Sequence, residues 1–422
     1  MTKKVLLILI SILLIIQPIT YAEPSITSGS AILVESETGQ IIFEYNSNAK
    51  KYPASITKVL TAVIAMEETK LDEIVIVSDD VPSQIERGSS QIYLLPGEKL
   101  TMEQLLYALL VESANDAAVT IAEHISGSVT EFAKLMNKRA KELGATNSNF
   151  VNPNGLHDDN HYLTAHDMSL IMKEAIKYPT LLDIMSTVTY IIPATDKQDT
   201  RYLWTKNKLL KTPSNPYFYD KVIASKTGFT SKARNTLVVA AEENNIKLIT
   251  VVLAAEGNLS YSDTLDMFEY GFNNFKSISI IGKDDFIEDY NIENAKTPLK
   301  LIASNDLKYI GKIDENYNFM PNITISEDLS FPIEKGQKVG TLTYTLESTV
   351  IGEVDLVAGN EIKSNFYFLW VKLKSIIIWS LCGLLLLYIV ARIYVAKKNA
   401  HIRRRKYKRY RKKTKKSEYS RF

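Results

Sequence analysis

A serine and a lysine stand three positions apart in Ser55-Ile56-Thr57-Lys58, at the start of an apolar-periodic segment that runs to Glu68. On a helix, such residues share one face, roughly 5–6 Å apart between their Cβ atoms. A serine hydroxyl becomes a nucleophile when a base removes its proton, and a buried lysine with a depressed pKa can be that base. Free N–H groups at the helix start could also hold an oxyanion. The pattern therefore indicates nucleophilic catalysis.

Taken alone, this spacing is a weak signal. Ser47-Asn48-Ala49-Lys50 has it too, in a polar turn where no function is predicted. Two further elements strengthen it. Ser113-Ala114-Asn115 lies between two predicted helices, where serine and asparagine are also ordinary caps. Lys226-Thr227-Gly228 supplies a cation, a hydroxyl and a residue without a side chain, which suits binding of a carboxylate on a strand edge but is equally typical of a turn.

The elements that must position these residues alternate between strand-like and helix-like segments in residues 23–275. This mixture predicts an α/β (α+β) unit with helices packed on a sheet. Strands are predicted at Ser30–Glu35, Gly39–Tyr45, Asn235–Ala241 and Lys247–Ala254, and helices at Ser55–Glu68, Met102–Val111, Asp116–Ser126, Val129–Leu143 and Tyr261–Phe275.

Residues 276–365 differ in character. Short alternating runs are separated by turn residues, which predicts a small all-β domain. It contains no catalytic constellation, so we interpret it as a spacer or docking module. The runs are Leu299–Ala303, Ile323–Ile325, Val339–Thr345 and Val350–Leu356.

Both ends of the chain carry membrane-directed patterns. Residues 1–22 combine two lysines, an apolar run and the small-residue site Thr20-Tyr21-Ala22, which predicts a cleaved signal peptide; the apolar run is short for an uncleaved anchor. Residues 366–396 include 17 uncharged positions, Ser375–Ala391, enough to cover roughly 25 Å as a helix. The basic tail, residues 397–422, then predicts a single-pass membrane protein with a cytoplasmic tail and an extracellular catalytic domain.

Charge and cysteine content exclude several classes of function. The tail carries 14 Lys/Arg and one acid, whereas residues 23–363 carry 31 Lys/Arg and 47 Asp/Glu. An acidic body of this kind offers no broad basic face for a nucleic-acid partner. Cys382 is the only cysteine, which excludes intramolecular disulfides and cysteine-rich zinc modules. We expect no cofactor and no metal.

Together, the three elements resemble the signature of penicillin-binding proteins and class A β-lactamases. Longer matches resemble one branch, the serine D-alanyl-D-alanine carboxypeptidases among the low-molecular-mass penicillin-binding proteins. The resemblance covers roughly Ile26 to Gly359 and is densest in the catalytic unit. The matches are Pro53–Lys58, Ser113–Ala118, Asn152–Leu156, Thr164–Asp167, Lys226–Thr230 and, in the β domain, Pro332–Gln337 with Val339-Gly340.

The resemblance implies a β-lactamase/transpeptidase-like fold and a role for each matched residue. Ser55 would be the acylated nucleophile, Lys58 its general base and Ser113 a proton relay. Asn115 would bind the substrate peptide, whereas Lys226 and Thr227 would hold the terminal carboxylate beside Gly228. The backbone N–H groups of Ser55 and Phe229 would form the oxyanion hole. The implied partners are peptidoglycan stem peptides ending in D-Ala-D-Ala, β-lactam antibiotics as inhibitors and the cytoplasmic membrane, with a role in cell-wall synthesis and cell shape.

Two features depart from the family pattern. The family usually has Ala-Gly where this chain has Ala233-Arg234, so we expect Arg234 to alter the rim of the catalytic pocket. The family also often ends in an amphipathic helix on the membrane surface, whereas this chain has a full apolar span and a long basic tail.

Three alternatives remain open at this point. A class A-like β-lactamase would need a carboxylate to activate the deacylating water, and the region between Phe150 and Pro193 offers Glu174 and several aspartates. A metallopeptidase could use the histidines at 157, 161 and 166, although no His-Glu-x-x-His helix is present. A membrane-tethered cell-wall scaffold without turnover would keep the pocket and act through its β domain or tail.

Overall fold

The computed structural model describes residues 22–418, so the predicted signal peptide lies almost wholly outside the described residues. By internal contacts the chain forms two compact units. The first runs through Ser279 and also includes Lys308–Tyr317; the second comprises Ile280–Leu307 and the chain from Asn318 onward. A unit of helices on an antiparallel sheet, a β-rich unit and a C-terminal helix confirm the predicted fold class.

The first unit is organised around a five-stranded antiparallel sheet in the order β2-β1-β9-β8-β7. Strand β7 forms one edge, so one side of its backbone has no neighbour in the sheet. The strands are β1 (Ser30–Glu35), β2 (Ile41–Tyr45), β7 (Val222–Thr230), β8 (Arg234–Glu243) and β9 (Ile246–Ala255). Two short hairpins flank it: β3 (Ile74–Ile76) with β4 (Lys99–Thr101), and β5 (Thr189–Ile192) with β6 (Arg201–Trp204).

Both faces of this sheet are buried. Along β8, Val238 and Ala240 belong to the large helical core, whereas Leu237 and Val239 face a second core on the opposite side. Successive strand residues point to opposite faces, so a strand covered on both sides must be apolar at every position. This explains why β8 and β9 are nearly continuous hydrophobic runs in the sequence.

Seven helices belong to the described part of the first unit, and one of them, α7, covers the second core. They are α1 (Lys58–Glu68), α2 (Met102–Tyr107), α3 (Asn115–Ser126), α4 (Val129–Glu142), α5 (Ala165–Ala175), α6 (Pro179–Ser186) and α7 (Leu259–Asn274). The prediction of one regular helix over Met102–Val111 was wrong in its second half, because Ala108–Glu112 is a wider π-turn. Helices α5 and α6 were not predicted.

The second unit contains a five-stranded antiparallel sheet in the order β11-β12-β16-β15-β14 around its own apolar core. These strands are β11 (Phe286–Tyr290), β12 (Leu299–Ala303), β14 (Met320–Ile325), β15 (Lys338–Leu346) and β16 (Thr349–Ala358). Two further strands, β10 (Phe275–Ile281) and β13 (Leu307–Lys312), pair with each other and fall mainly within the first unit.

The chain ends in one continuous helix, α8 (Asn365–Glu418), which contains both the apolar run and the basic segment. Its apolar side chains are exposed, and the helix is long and apolar enough to cross a bilayer. Such a surface is stable when lipid covers it, since exposed apolar patches of this size are unfavourable in water. The helix therefore suits a membrane anchor.

Candidate active site

The serine at position 55 lies in a short 3-10 turn, Ala54–Thr57, that leads directly into α1. Ala54 adopts a left-handed backbone (φ +50°), which is rare for a residue with a Cβ and costs about 1–3 kcal/mol. The surrounding structure holds this turn, because the Thr236 hydroxyl donates to the Pro53 carbonyl at 2.7 Å. Ser55 is thereby presented beside the edge strand β7 rather than within a regular helix.

Lys58, one turn after this serine, is fully buried, with no exposed surface. Its Nζ donates to Oδ1 of Asn115 at 2.7 Å and to the Asn154 carbonyl at 2.8 Å, and it lies 3.0 Å from Oγ of Ser55. A neutral amine has two N–H donors and one lone pair. Because two carbonyl oxygens take both donors, the lone pair is left facing the Ser55 hydroxyl. The arrangement fits a base that accepts the serine proton.

The electrostatic surroundings favour this neutral form. Burial lowers the pKa of Lys58 well below its usual value, and the positive charge of Lys226 lowers it further. Asp116 acts in the opposite direction but is engaged elsewhere, because its carboxylate accepts N–H groups of Ile92, Leu94 and Ala117. Removing an unpaired charge from water costs several kcal/mol, so the lysine loses its proton instead.

Ser113 faces the same site from the other side. It ends the π-turn in a left-handed conformation (φ +67°), which turns its side chain away from the path of a regular helix. Its Oγ accepts from Nζ of Lys226 at 2.9 Å, and the same ammonium group donates to the Thr227 carbonyl at 2.9 Å. Burial and the nearby charge of Lys206 lower the pKa of Lys226 to about 7. The Ser113 hydroxyl is thus held by Lys226, the second buried lysine of the site.

A cavity of about 410 Å³ joins these groups and is named here the catalytic cavity. The edge strand forms one wall with Thr227, Gly228, Phe229 and Thr230, whose free backbone edge could pair with an extended ligand. Ser55, Ser113 and Asn115 form the opposite wall. Gly228 is required because a Cβ there would lie 2.8 Å from the Ser55 nitrogen. The strand can approach the nucleophile closely only where the side chain is missing.

The segment Asn152–Leu156 closes the site around Lys58. Oδ1 of Asn152 accepts from the Gly155 nitrogen at 2.7 Å, and the Asn152 amide donates to the Leu156 carbonyl at 2.9 Å. Gly155 has φ +83°, and a Cβ there would lie 1.9 Å from the Ala54 carbonyl oxygen. The hydrogen bonds of Asn152 hold a turn that packs against the Ala54–Thr57 turn. This arrangement directs the Asn154 carbonyl towards Lys58.

All eight predicted site residues lie in or beside this one cavity: Ser55, Lys58, Ser113, Asn115, Lys226, Thr227, Gly228 and Phe229. Sequence reasoning missed Lys206, which lines the cavity, donates to Oγ of Ser90 at 2.9 Å and lies 3.2 Å from a Glu112 oxygen. Its charge lowers the pKa of both buried lysines. No motif surrounds Lys206, so the sequence contains no signal for it.

The second Ser-x-x-Lys segment has an unrelated structure. Ser47 is buried, and its hydroxyl donates to the Glu44 carboxylate at 2.5 Å, whereas Lys50 lies 3.3 Å from the Tyr162 hydroxyl. The serine and lysine therefore serve separate partners. The prediction of no function for this segment is consistent with that arrangement.

Residues that a class A-like β-lactamase or a metallopeptidase would use do not line the catalytic cavity. Glu174 is held by Arg139 at 3.2 Å and Lys177 at 2.7 Å and does not line the catalytic cavity. His161 is buried beside Thr57 at 3.0 Å, and burial lowers its pKa to about 4. His166 lies in the first turn of α5. Within residues 22–413, no three His, Cys, Asp or Glu side chains are grouped as a metal site requires.

The expectation for Arg234 was wrong in its location. Its backbone is left-handed (φ +60°), the conformation in which glycine carries no steric penalty, which explains the glycine usual in the family. Its guanidinium binds Glu256 at 2.7 Å and lines a neighbouring cavity rather than the catalytic one. Asn235, the next residue, does line the catalytic cavity.

A serine beside a buried neutral lysine, set between helices and the edge of an antiparallel sheet, defines the class of serine acyl-transfer enzymes that use a lysine base. Residues 17–257 match the family model described as D-alanyl-D-alanine carboxypeptidase, and residues 275–364 match the penicillin-binding protein 5 C-terminal domain. The chain belongs to the D-alanyl-D-alanine carboxypeptidase family.

Individual relatives agree with this membership. The chain is 33% identical over 355 residues to D-alanyl-D-alanine carboxypeptidase DacF of Bacillus subtilis, covering 81% of this chain and 88% of that protein. Its fold is similar to penicillin-binding protein 5 of Haemophilus influenzae (TM-score 0.69, 28% identity, 81% of this chain and 99% of that one). It is also similar to PBP3 of Streptococcus pneumoniae, titled a peptidoglycan synthesis regulatory factor (TM-score 0.68, 27% identity, 80% and 100%).

The fit between Gly155 and Ala54 gives a testable prediction. In Gly155→Ala the new methyl group must displace the Ala54 carbonyl and with it the turn that carries Ser55. We expect acylation by a fluorescent penicillin to fall by at least about tenfold, the factor corresponding to 1.4 kcal/mol. Second-order labelling rates of the purified full chain measure this.

Gly127→Ala is the matched control, since Gly127 also has positive φ (+75°) but has open space around its Cβ position. Both substitutions strain the backbone, whereas only Gly155→Ala disturbs the site. Equal labelling rates in the two variants would contradict the proposed importance of this contact.

Proposed function

We propose that this protein is a serine D-Ala-D-Ala carboxypeptidase that removes the terminal D-alanine from peptidoglycan stem peptides. One observation carries the proposal: Nζ of Lys58 lies 3.0 Å from Oγ of Ser55 while both of its neutral N–H donors are taken by Asn115 and Asn154. This geometry supports a base of fixed direction. The printed activity of the family and its relatives supplies the substrate.

In the proposed reaction, Oγ of Ser55 attacks the carbonyl carbon of the penultimate D-alanine as its proton passes to Nζ of Lys58. The N–H groups of Ser55 and Phe229 stabilise the oxyanion, a contribution typically worth about 3–4 kcal/mol per donor. The C–N bond breaks, the terminal D-alanine leaves with a proton, and an ester remains on Ser55. Water then attacks this ester, one of its protons returns to Oγ of Ser55, the other is released, and the second product leaves as a carboxylate.

Ser113 and the clamp residues complete the mechanism. Ser113 lies 2.9 Å from Nζ of Lys226 and faces the cavity, a position that supports proton transfer to the departing amine. Lys226 and the Thr227 hydroxyl hold the terminal carboxylate, and a charge-assisted hydrogen bond of this kind contributes about 1.5–3 kcal/mol. Oδ1 of Asn115 accepts a hydrogen bond from Lys58, so the side-chain N–H₂ of Asn115 remains to donate to the substrate carbonyl. β-Lactams would acylate Ser55 in the same way.

The placement in the cell is part of the proposal. Helix α8 would cross the cytoplasmic membrane once, leaving residues 23–365 outside and the basic tail inside. The exposed apolar surface of α8 and the 14 Lys/Arg that follow it support this orientation, since positively charged segments remain cytoplasmic. The signal peptide at residues 1–22 would direct export.

Labelling by penicillin tests the nucleophile. Ser55→Ala removes the attacking oxygen and should abolish covalent labelling by a fluorescent penicillin, because Ser55 is the serine that lies beside the Lys58 base. Ser47→Ala in the second Ser-x-x-Lys segment is the control and should be labelled like the wild type. Gel fluorescence and mapping of the labelled peptide measure this, with melting temperatures to verify folding. Label persisting on Ser55→Ala protein would rule out the assignment.

The pH dependence of acylation tests the two lysines. The mechanism needs Lys58 without its proton and Lys226 with one. The rate should therefore rise with pH as Lys58 deprotonates and fall above about pH 7 as Lys226 loses its charge. In Lys206→Gln the cation that lowers the pKa of both Lys58 and Lys226 is missing. The rising and the falling limb of the pH–rate profile should therefore both move to higher pH. Lys211→Gln is an exposed control that should leave the profile unchanged.

The measurement is the second-order rate constant for acylation by a penicillin between pH 5 and 9, a range of about two units around neutrality in which lysines of this kind titrate. The two limbs report the coupled pair of lysines rather than either one alone. A shift of both limbs to lower pH in Lys206→Gln would contradict the assigned electrostatics.

Protease protection tests the topology. Protease added to intact protoplasts should release the catalytic and β domains and spare an epitope fused after Phe422, because the membrane shields a cytoplasmic tail. The same protease after permeabilisation is the control and should destroy the epitope. Loss of the epitope in intact protoplasts would reverse the proposed orientation.

A further inference from the structure

A second cavity, of about 650 Å³, adjoins the catalytic cavity and takes no part in the mechanism above. It is named here the lysine cavity, because Lys50, Lys51, Lys232 and Arg234 line it. Four cations in one concave site are unusual on a body whose residues 23–363 carry an excess of acids. Such a concentration of positive charge predicts an anionic ligand.

The charges of this cavity are only partly neutralised from within. Two carboxylates line it, and one of them, Glu256, binds Arg234 at 2.7 Å. The other, Asp159, accepts from the Tyr52 hydroxyl at 3.3 Å. The side-chain ammonium groups of Lys51 and Lys232 have no hydrogen-bond or ion-pair partner within residues 22–413, whereas the Lys51 backbone pairs with Leu163. Two ammonium groups are therefore free to bind a ligand.

The two cavities are separated by short stretches of chain. The hairpin of β7 and β8 contributes Thr230 and Asn235 to the catalytic cavity, and its residues 232–234 line the lysine cavity. In the same way, Tyr52 lines the lysine cavity three residues before Ser55. Lining residues of the two cavities are thus one to three positions apart in the chain, at most about 11 Å between their Cα atoms at 3.8 Å per residue. A single extended substrate can reach both.

The proposed roles also fix the direction of that substrate. Thr227 holds the terminal carboxylate, whereas the Phe229 nitrogen holds the scissile carbonyl, so the bound peptide runs along β7 from Thr227 towards Thr230. Residues upstream of the scissile bond then approach the turn at Lys232. An extended chain covers about 3.3 Å per residue, which places the lysine cavity within two to four residues of the scissile bond.

We propose that the lysine cavity is an upstream subsite that binds a carboxylate side chain of the peptide whose D-Ala-D-Ala end lies in the catalytic cavity, with Lys51 and Lys232 as its anion-binding groups. This rests on the proposed function and names a substrate class, acidic peptides. Arg234 is not one of the anion-binding groups, because its charge is balanced by Glu256.

The test compares matched peptides on the full chain in detergent. Each peptide is N-acetylated and ends in D-Ala-D-Ala. The two peptides of a pair differ at one position, where one has Glu and the other has Gln. This position is the second, third or fourth residue before the scissile bond. The wild type should prefer Glu at one of these positions by about tenfold in kcat/KM. In the double variant Lys51→Gln/Lys232→Gln this preference should disappear while hydrolysis of the Gln peptides is unchanged.

Lys134→Gln/Lys138→Gln is the matched control: it removes the same charge from exposed positions on α4 that line neither cavity, and should keep the preference. Added salt should weaken the preference of the wild type, as expected for charge recognition. No preference at any position, or one that survives in Lys51→Gln/Lys232→Gln, would overturn the proposal.

A binding measurement separates this proposal from the proposed function. Ser55→Ala protein cannot turn over, so calorimetry on it reports affinity for the Glu and Gln peptides whether or not the enzyme hydrolyses them. Tighter binding of the Glu peptide, lost when Lys51 and Lys232 are also changed to Gln, supports the subsite. A glycerol phosphate oligomer that displaces the Glu peptide and binds more tightly would overturn the assignment to a peptide carboxylate.

Discussion

The structure depends on keeping one buried amine uncharged. Lys58 has no exposed surface, and its charged form would have to give up its hydration among apolar helices. The protein supplies two carbonyl acceptors and no direct carboxylate partner, an environment that suits a neutral amine with its lone pair aimed at Ser55. A carboxylate in contact would restore the charge and remove the base. Asp116 is nearby, but backbone N–H groups hold it in a different role.

Several irregular features of the fold follow from this requirement. Ala54 and Ser113 both have left-handed backbones: Ala54 immediately precedes Ser55, and Ser113 ends the π-turn. Gly155 and Gly228 lack a Cβ where neighbouring backbone comes too close for one. These positions of the site are irregular, as expected when local preferences are given up for function.

The sequence predicted the fold class, the strands β8 and β9 and eight residues that lie in or beside the catalytic cavity, because periodicity and short motifs are local signals. It did not predict helices α5 and α6 or the β5–β6 hairpin. It also could not reveal Lys206, whose role depends on a charge brought near Lys58 and Lys226 by tertiary structure. Arg234 was placed at the wrong cavity, since a sequence shows the residue but not the left-handed turn that directs it.

The distribution of charge explains why recognition is concentrated in small sites. The residues between 23 and 363 have a net charge of −16, so their overall field repels a substrate that ends in a carboxylate. Screening limits this repulsion to about 8 Å at physiological ionic strength, whereas a cation inside a cavity acts at contact distance. Lys226 at the catalytic cavity and the four cations of the lysine cavity provide such contacts. The protein can therefore bind anions that fit its basic cavities, while its net negative charge repels other anions.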